Sequence, residues 1–547
     1  MYTPLQRFFR MLYPNKKEIT HLYLFAITHG LIALSLPLGI QAIINLIQGG
    51  EISASWVVLV SIVMIGFIIT GALQIVQMKI TEDLEKDIFA RSAFEFAFRI
   101  PKIKMEAMDK HYAPELMNRF FDTMSIQKGV SKILLEFTTA GLQILFGLIV
   151  LSFYHSFFII FSFLVIFVAF IIGNYIFRRG VRSSIIESKF KYKVAFWLEE
   201  LARTFATFKL ESKSPIPLRN TDEMVSSYLD ARDSHFKILL RQYYLFVVFK
   251  IVVAAGFLIL GGILVFNQQM NIGQFVAAEI IVLMIVQSSE KMLMTLQDIY
   301  DLLTSIEKIG QVTDMELEHI SDTKENVVLD NLGFSLSVEN LSFTYPNENN
   351  PVFSGLSFFI GSHEKVGLTG PSGSGKITLV KLLLGFFKAS SGKICFNGLP
   401  IDNYDIGLLR DEISVCYHEN NIFDASILEN ITLGLPYEND RLRIVLEVTN
   451  LLPHLSQLKD GYNTFIGPHG LRLSGTVWQK ILLARCLLKN VRFYIIEDIL
   501  KNIPTEEKTE IMEGVLSFLK DATMILITKD SDILKRTDRT IVLNSDM

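Results

Sequence analysis

The run Gly370-Pro-Ser-Gly-Ser-Gly-Lys-Ile-Thr378 has the residue types and spacing to hold a polyphosphate. Gly370, Gly373 and Gly375 let successive backbone N–H groups turn toward one anion, and Ser372, Ser374 and Thr378 complete the loop. The strand-like stretch 365–369 precedes it and a helix-like stretch, 379–384, follows, so a helix N-terminus faces the anion and Lys376 adds a cation for β- and γ-phosphates. The residue after the lysine of such a loop is expected to be Ser or Thr, whose hydroxyl binds Mg²⁺. Here it is Ile377, which has none.

A loop of this kind needs a sheet and helices to carry it, and the sequence supplies them only in its second part. Charge-free runs crowd the first 290 or so residues, whereas an acidic connector (Asp314, Glu316, Glu318, Asp322, Glu325, Asp330) leads into alternating strand and helix patterns. The reading is a multidomain membrane protein: residues 1–310 an all-α transmembrane bundle, 311–334 a linker, and 335–547 an α/β nucleotide-binding domain. At 547 residues, 50% of them hydrophobic, the chain is long enough for two or three domains and apolar enough to enter a membrane. Its net charge of -4, with no basic face or tail, argues against nucleic acid as a partner. Cys395, Cys416 and Cys486 have no metal-ligand spacing, suit a reducing cytosol, and are assigned no chemistry.

A spanning helix takes about 20 mostly apolar residues. Four charge-free stretches, 19–50, 52–78, 137–177 and 251–278, meet that length; the third divides at His155-Ser156 and the fourth breaks at Asn267-Gln-Gln-Met-Asn271. The pattern predicts six spans, at about 21–47, 55–78, 134–154, 157–177, 243–266 and 272–296. Lys and Arg are absent from the turns at 48–55, 155–156 and 267–271, which therefore face outward. They are frequent in 79–136 and 178–242, which are cytoplasmic with the N-terminus. Helical periodicity in those two segments predicts long extensions of the spans, reversing near 112–122 and between 196 and 210, with a short reversing helix placed to touch a cytoplasmic domain. Arg7, Arg10, Lys16 and Lys17 precede an apolar run too long for a signal-peptide core, so the first span is expected to stay attached.

Residues 335–547 resemble an ABC nucleotide-binding domain, and with six spans ahead of it the chain resembles an ABC exporter half-transporter with degenerate ATPase motifs. The resemblance rests on the phosphate loop and on Tyr345, in Ser-Phe-Thr-Tyr-Pro, at the place of the family's adenine-stacking aromatic. It also rests on Ser391-Gly-Lys-Ile-Cys-Phe-Asn-Gly398, on Ile427-Leu-Glu-Asn-Ile431, and on Leu473-Ser-Gly-Thr-Val477 at the place of the LSGGQ signature. It implies ATP and Mg²⁺ as cofactors and a dimer in which Ser474 and Gly475 of one subunit close over the ATP of the other.

Several positions depart from what the resemblance implies. His418 stands where a Gln contacts Mg²⁺ and the attacking water, and Thr476 stands where a second glycine lets backbone approach closely. The strand ending Phe493-Tyr-Ile-Ile-Glu-Asp498 has its two acids exchanged: Glu497 is left to reach Mg²⁺ through water, and Asp498, one methylene short, takes the place of the general base. Lys529 replaces the switch histidine, and 499–504 lacks the Ser-Ala-Leu-Asp sequence that couples paired sites. A displacement near 1 Å can cost about 100-fold in rate, so weak or absent hydrolysis is expected.

Glu279 lies inside the last predicted span, where a carboxylate is a functional candidate, with an outer-interface location as the plainer reading. Lys250, near the cytoplasmic end of the fifth, is expected to snorkel. The segment from Gly261 to Gln274 is similar to that of peptide, toxin and lipid exporters. The chain is thus expected to be an inner-membrane subunit that couples ATP binding to export of a peptide, protein or lipid-like substrate. It is expected to pair preferentially with a better-preserved half-transporter, a homodimer being the alternative. Because the stretch before the first span is short, a self-contained processing exporter with a peptidase domain is not the expected reading. The competing reading is a catalytically inactive, nucleotide-responsive gate or regulatory partner of an active subunit.

Overall fold

The computed structural model describes residues 3–48, 54–109, 111–318, 334–346, 348–417, 421–467, 473–497, 500 and 503–543, without the side chains of 172, 175 and 176. The chain divides into two units: Met1–Ile103 with Lys110–Leu317, and Lys104–Asp109 with Glu318–Met547.

The helices up to Thr313 are α1 (Pro4–Leu12), α2 (Lys16–Ala33), α3 (Ser35–Gln48), α4 (Ala54–Arg99), α5 (Met105–Met108), α6 (Ala113–Asn118), α7 (Asp122–Lys132), α8 (Thr138–Tyr154), α9 (Ser156–Arg203), α10 (Phe205–Leu210), α11 (Ile216–Phe266) and α12 (Ile272–Thr313). All but α5 belong to the first unit. Local sequence sets their ends. Thr3 and Gln6 cap α1 reciprocally ahead of Pro4, and Asn271 and Gln274 do the same for α12. His155 alone separates α8 from α9, its ring nitrogen accepting from the Phe157 N–H at 3.3 Å. The first reversal comes earlier than periodicity suggests, directly after Arg99, where the chain tightens into a 3-10 turn at Ile100–Lys102 because Pro101 has no N–H to continue the α-helix. The second comes at 204–215, around the short α10.

Five helical stretches are long and apolar enough to cross a membrane among the described residues: Pro4–Gln48, Ala54–Lys102, Ala113–Tyr154, Ile216–Phe266 and Ile272–Thr313. Ser156–Ile171, the start of α9, is a shorter apolar helix. Burial separates their roles: only 6% of the most apolar stretch of α4 is buried against 44% of that of α12, so this part of α4 turns its side chains outward and α12 runs through the bundle. Phe257, Ile281 and Ile285 belong to one core of this unit, and Leu22, Leu84 and Leu302 to another.

The second unit holds β1 (Leu336–Phe343), β2 (Phe353–Ile360), β3 (Lys365–Thr369), β4 (Ser391–Phe396), β5 (Leu399–Pro400), β6 (Ile413–Cys416), β7 (Phe493–Glu497), β8 (Thr523–Ile527) and β9 (Arg539–Val542). Its helices are α13 (Lys376–Leu383), α14 (Ile406–Asp411), α15 (Ile427–Thr432), α16 (Asn439–Val448), α17 (Leu452–Leu455), α18 (Gly475–Leu488), α19 (Thr505–Phe518) and α20 (Ser531–Leu534). One sheet is antiparallel, in the order β2-β1-β4-β5; the other is parallel, in the order β6-β7-β8-β3-β9. The unbroken apolar runs of β7 and β8 suit a parallel sheet covered on both faces, and both strands are buried almost throughout. Met105 of α5 packs at the edge of the core formed by Phe343, Leu379 and Phe387.

Candidate functional site

The parallel register brings the candidate residues to one edge of the sheet. Leu368 of β3 lies opposite Ile527 of β8, and Ile527 lies opposite Glu497 of β7. The phosphate loop that leaves β3, the Glu497 end of β7 and the segment from Thr528 to Asp530 therefore emerge side by side at the carboxyl ends of the strands, where ligands of open α/β sheets bind.

Backbone geometry explains the glycines of the loop. Gly370 has φ +155, and a Cβ there would fall 2.3 Å from the Leu543 carbonyl; Gly375 has φ +80, with Val352 and Phe353 2.6 Å from a Cβ. Only glycine fits these two places. Gly375 also stands at the N-cap of α13 with no side-chain hydrogen bond to the helix, so no capping oxygen competes for the first N–H groups of α13. The Lys376 ammonium curls back over the loop, donating to the Gly370 and Pro371 carbonyls at 3.0 and 2.7 Å and to Ser374 Oγ at 3.1 Å.

Tyr345 is half-buried, its ring edge-on to Phe343 and Phe387 with centroids 5.0 and 5.4 Å away, and its phenol 3.0 Å from the Thr378 hydroxyl. Ile377 is half-buried beside Thr378. Lys529 is exposed, and its ammonium donates to Ser372 Oγ at 3.0 Å, so the residue at the switch position touches the phosphate loop itself. Glu497 closes β7 half-buried. His418 and Asp498 lie outside the described residues.

Ser474 caps α18: its Oγ accepts from the Val477 N–H at 3.4 Å and lies 2.9 Å from the Thr476 hydroxyl. Gly475 is exposed, with open space where a Cβ would be. Behind this exposed turn, Arg485 of the same helix ties α18 to α15, donating to the Asn430 carbonyl at 2.6 Å.

Of the usual Mg²⁺ arrangement, a hydroxyl after the loop lysine and a carboxylate at the strand end, the described residues keep the carboxylate, Glu497, and lack the hydroxyl. Ile377 offers no oxygen, and the Thr378 hydroxyl is bonded to Tyr345. The polyphosphate cradle itself fits: glycine backbone, a helix N-terminus and two ammonium groups converge on one loop.

Some contacts away from this site gave no sequence signal. Lys480, 1% exposed, donates to Glu507 at 2.6 Å and to the Asn450 carbonyl at 3.1 Å, with His454 Nε2 3.2 Å away. Arg410 grips Glu318 with two hydrogen bonds of 2.6 and 2.9 Å. In the membrane-type unit, Glu279 is half-buried on α12, and Lys250 reaches Glu290 at 3.4 Å rather than only an interface. The three cysteines are buried, and burial pushes the Cys486 thiol up to about 12, which leaves it inert.

Residues 353–500 match the family described as ABC transporter. The chain is 29% identical over 289 residues to the alpha-hemolysin translocation ATP-binding protein HlyB of Escherichia coli O157:H7, a match covering 52% of this chain and 40% of that one. It is 27% identical over 279 residues to the ATP-dependent lipid A-core flippase of Burkholderia orbicola (strain AU 1054), covering 51% and 46%. The chain thus spans less than half the length of these curated relatives. Among solved structures it is similar to a bacterial Atm1-family ABC exporter with ATP bound, at a TM-score of 0.85 and 17% identity, covering 97% of this chain and 94% of that one. At that identity the likeness is one of fold.

Proposed function

We propose that this chain, an ABC transporter ATP-binding domain fused to a mostly helical membrane-type domain, is one half of an exporter in a bacterial inner membrane. Six spans, at about 21–47, 55–78, 134–154, 157–177, 243–266 and 272–296, precede a linker at 311–334, with the N-terminus and residues 335–547 cytoplasmic. The observation that carries this reading is the glycine loop between β3 and α13, set in a chain whose whole length follows an exporter fold. Lys376, the loop backbone from Gly370 to Gly375, Ser372, Ser374 and Thr378 hold the phosphates of ATP, and Tyr345 offers a ring to the base. Ser474 and Gly475 face the nucleotide of a second subunit.

The cargo is peptide, protein or lipid-like, a class supported by relatives named for hemolysin translocation and for lipid A-core flipping. Coupling runs through closing and reopening of paired cassettes, which alternates access to a cavity between the spans. Intrinsic hydrolysis is weak or lost, because Asp498 takes the place of a longer general base and Lys529 that of a histidine. A homodimer would carry every such departure in both sites. The preferred partner is therefore a better-preserved half-transporter, which supplies one full catalytic set opposite Ser474 and Gly475. The second reading, a regulatory subunit in which ATP is only a ligand, is favoured by the Lys529 contact to Ser372.

The test is ATP turnover in liposomes by the purified chain, alone and with a co-purifying half-transporter, with and without candidate cargo. Background turnover alone, a substrate-stimulated rate with the partner, and a gain on combining Asp498→Glu and Lys529→His with Ile377→Ser are expected. Robust, cargo-stimulated hydrolysis by the unmodified chain alone would refute the partner requirement, and no stimulation with any partner favours the regulatory reading.

A further inference from the structure

We infer that this nucleotide site binds ATP without Mg²⁺, the Lys529 ammonium supplying at the phosphate loop the positive charge that the metal gives elsewhere. The inference rests on the ATP-binding reading above. It starts from a disagreement between the fold and its residues. Mg²⁺ demands nearly ideal octahedral oxygen coordination and parts with its water reluctantly, so losing one hydroxyl ligand weakens the site out of proportion. Ile377 removes that ligand and puts a branched apolar side chain in its place. Neither neighbouring hydroxyl can stand in. Thr378 is buried and bonded to the Tyr345 phenol, and Ser374 is buried and accepts from Lys376.

Lys529 answers the missing charge. Among the described residues its one polar contact is Ser372 Oγ, at 3.0 Å, on the same loop that Lys376 folds over, so two ammonium groups converge where a polyphosphate would lie. Its platform is fixed from below. The Thr528 N–H donates to the Leu368 carbonyl at 3.2 Å, and Asp530 accepts from the Asp532 and Ile533 N–H groups and pairs with Lys508 at 3.1 Å. The side chain is exposed, and a serine hydroxyl is a weak partner for an ammonium, so an anion can take it over. A lysine is a point charge that needs no coordination geometry and stays charged at neutral pH, whereas a histidine is largely neutral there.

The experiment is titration of the full-length chain in detergent with ATP, in EDTA and in millimolar Mg²⁺, by calorimetry. The expected result is an affinity that Mg²⁺ strengthens by less than about tenfold, and a loss of about tenfold or more in EDTA on Lys529→Ala, as for a charged hydrogen bond. Lys529→Arg should retain metal-free binding, while Ile377→Ser with Lys529→His should make binding depend on Mg²⁺. Because Lys529 is exposed, nucleotide-free melting of Lys529→Ala should match the unmodified chain. Tightening by tenfold or more with Mg²⁺, or metal-free binding indifferent to Lys529→Ala, overturns this inference alone, provided Lys376→Ala still abolishes binding. No ATP binding in either buffer overturns the ATP-binding reading and this inference with it.

Discussion

The Thr378 hydroxyl lies 3.0 Å from the phenol of Tyr345, joining the third residue of the phosphate-loop helix to the aromatic that follows β1. The ring is held edge-on by Phe343 and Phe387, so it is set in place without a nucleotide. Removing only the phenol oxygen leaves the buried Thr378 hydroxyl without this partner while keeping the ring. Tyr345→Phe should therefore cost about 1 kcal/mol of stability and leave ATP affinity within about threefold. Tyr345→Ala removes the stacking face and should weaken ATP by about tenfold. Calorimetric titration of both variants checks this; equal affinities for Phe and Ala at this position would mean that the ring does not meet the base.

Arg7 of α1 bonds Glu307 and, at 2.6 Å, Asp314, so the first helix is pinned to the end of α12 across the whole first unit of the sequence. The guanidinium side chain is 11% exposed, and Gly310 leaves room for it: a Cβ there would come within 2.5 Å of Arg7 Cζ. Arg7→Ala strands two half-buried carboxylates and should cost about 2 kcal/mol. Gly310→Ala should push the same guanidinium aside and reproduce part of that loss. Proteolytic sensitivity near α1 and the melting temperature of the full chain report both effects; unchanged melting in Arg7→Ala would show the pair to be solvated and idle.

Orientation can be tested at the two reversals. The short loops proposed as outer carry no Lys or Arg, whereas 79–136 and 178–242 are rich in both. The native cysteines are all buried, so a probe that cannot cross membranes has a quiet background. A cysteine at Lys102 or Ser214 should remain unlabelled in intact cells and react after permeabilisation. Labelling of either in intact cells would invert the topology.

The phosphate loop was legible because its information is local: glycine spacing, a lysine, and strand and helix patterns on either side. The helix breaks at His155 and Asn267–Asn271 were legible for the same reason, being polar residues in apolar runs. What the chain brings together over long separations was not. Ser372 meets Lys529 only because β3 and β8 are neighbours in parallel register, and nothing along the sequence states that order. Arg7 and Glu307 meet through helix packing. Tyr345 is singled out in the sequence by its likeness to an adenine-stacking aromatic, but its bond to Thr378 depends on how the antiparallel sheet lies against α13. Lys480 shows the opposite failure: a lysine among apolar residues on a helix reads as a solvated charge, yet it is among the largest fully buried side chains.

That buried lysine gives a pH prediction. Its hydrogen bond holds the Glu507 carboxyl below its usual 4.5, so the folded chain protonates there less readily than the unfolded one. The stabilisation is complete above about pH 4.5 and lost as pH falls through the lower folded value. Burial, with the charge of Lys480, likewise lowers His454 from 6.5, so the unfolded chain takes up that proton first and stability begins to fall below pH 6.5. Unit stability around α18 should therefore decline in two steps on acidification. His454→Gln should remove the first step. Glu507→Gln should remove the second and, by leaving Lys480 buried without its carboxylate, cost about 2 kcal/mol at neutral pH, a figure reduced for the partial exposure of Glu507. Hydrogen exchange in Gly475–Leu488, taken as the ratio of variant to unmodified protein at each pH so that intrinsic rates cancel, measures both. Equal protection at pH 7 in Glu507→Gln would mean that Lys480 is satisfied by the Asn450 carbonyl and His454 alone, and that the carboxylate contributes nothing to holding α18 in place.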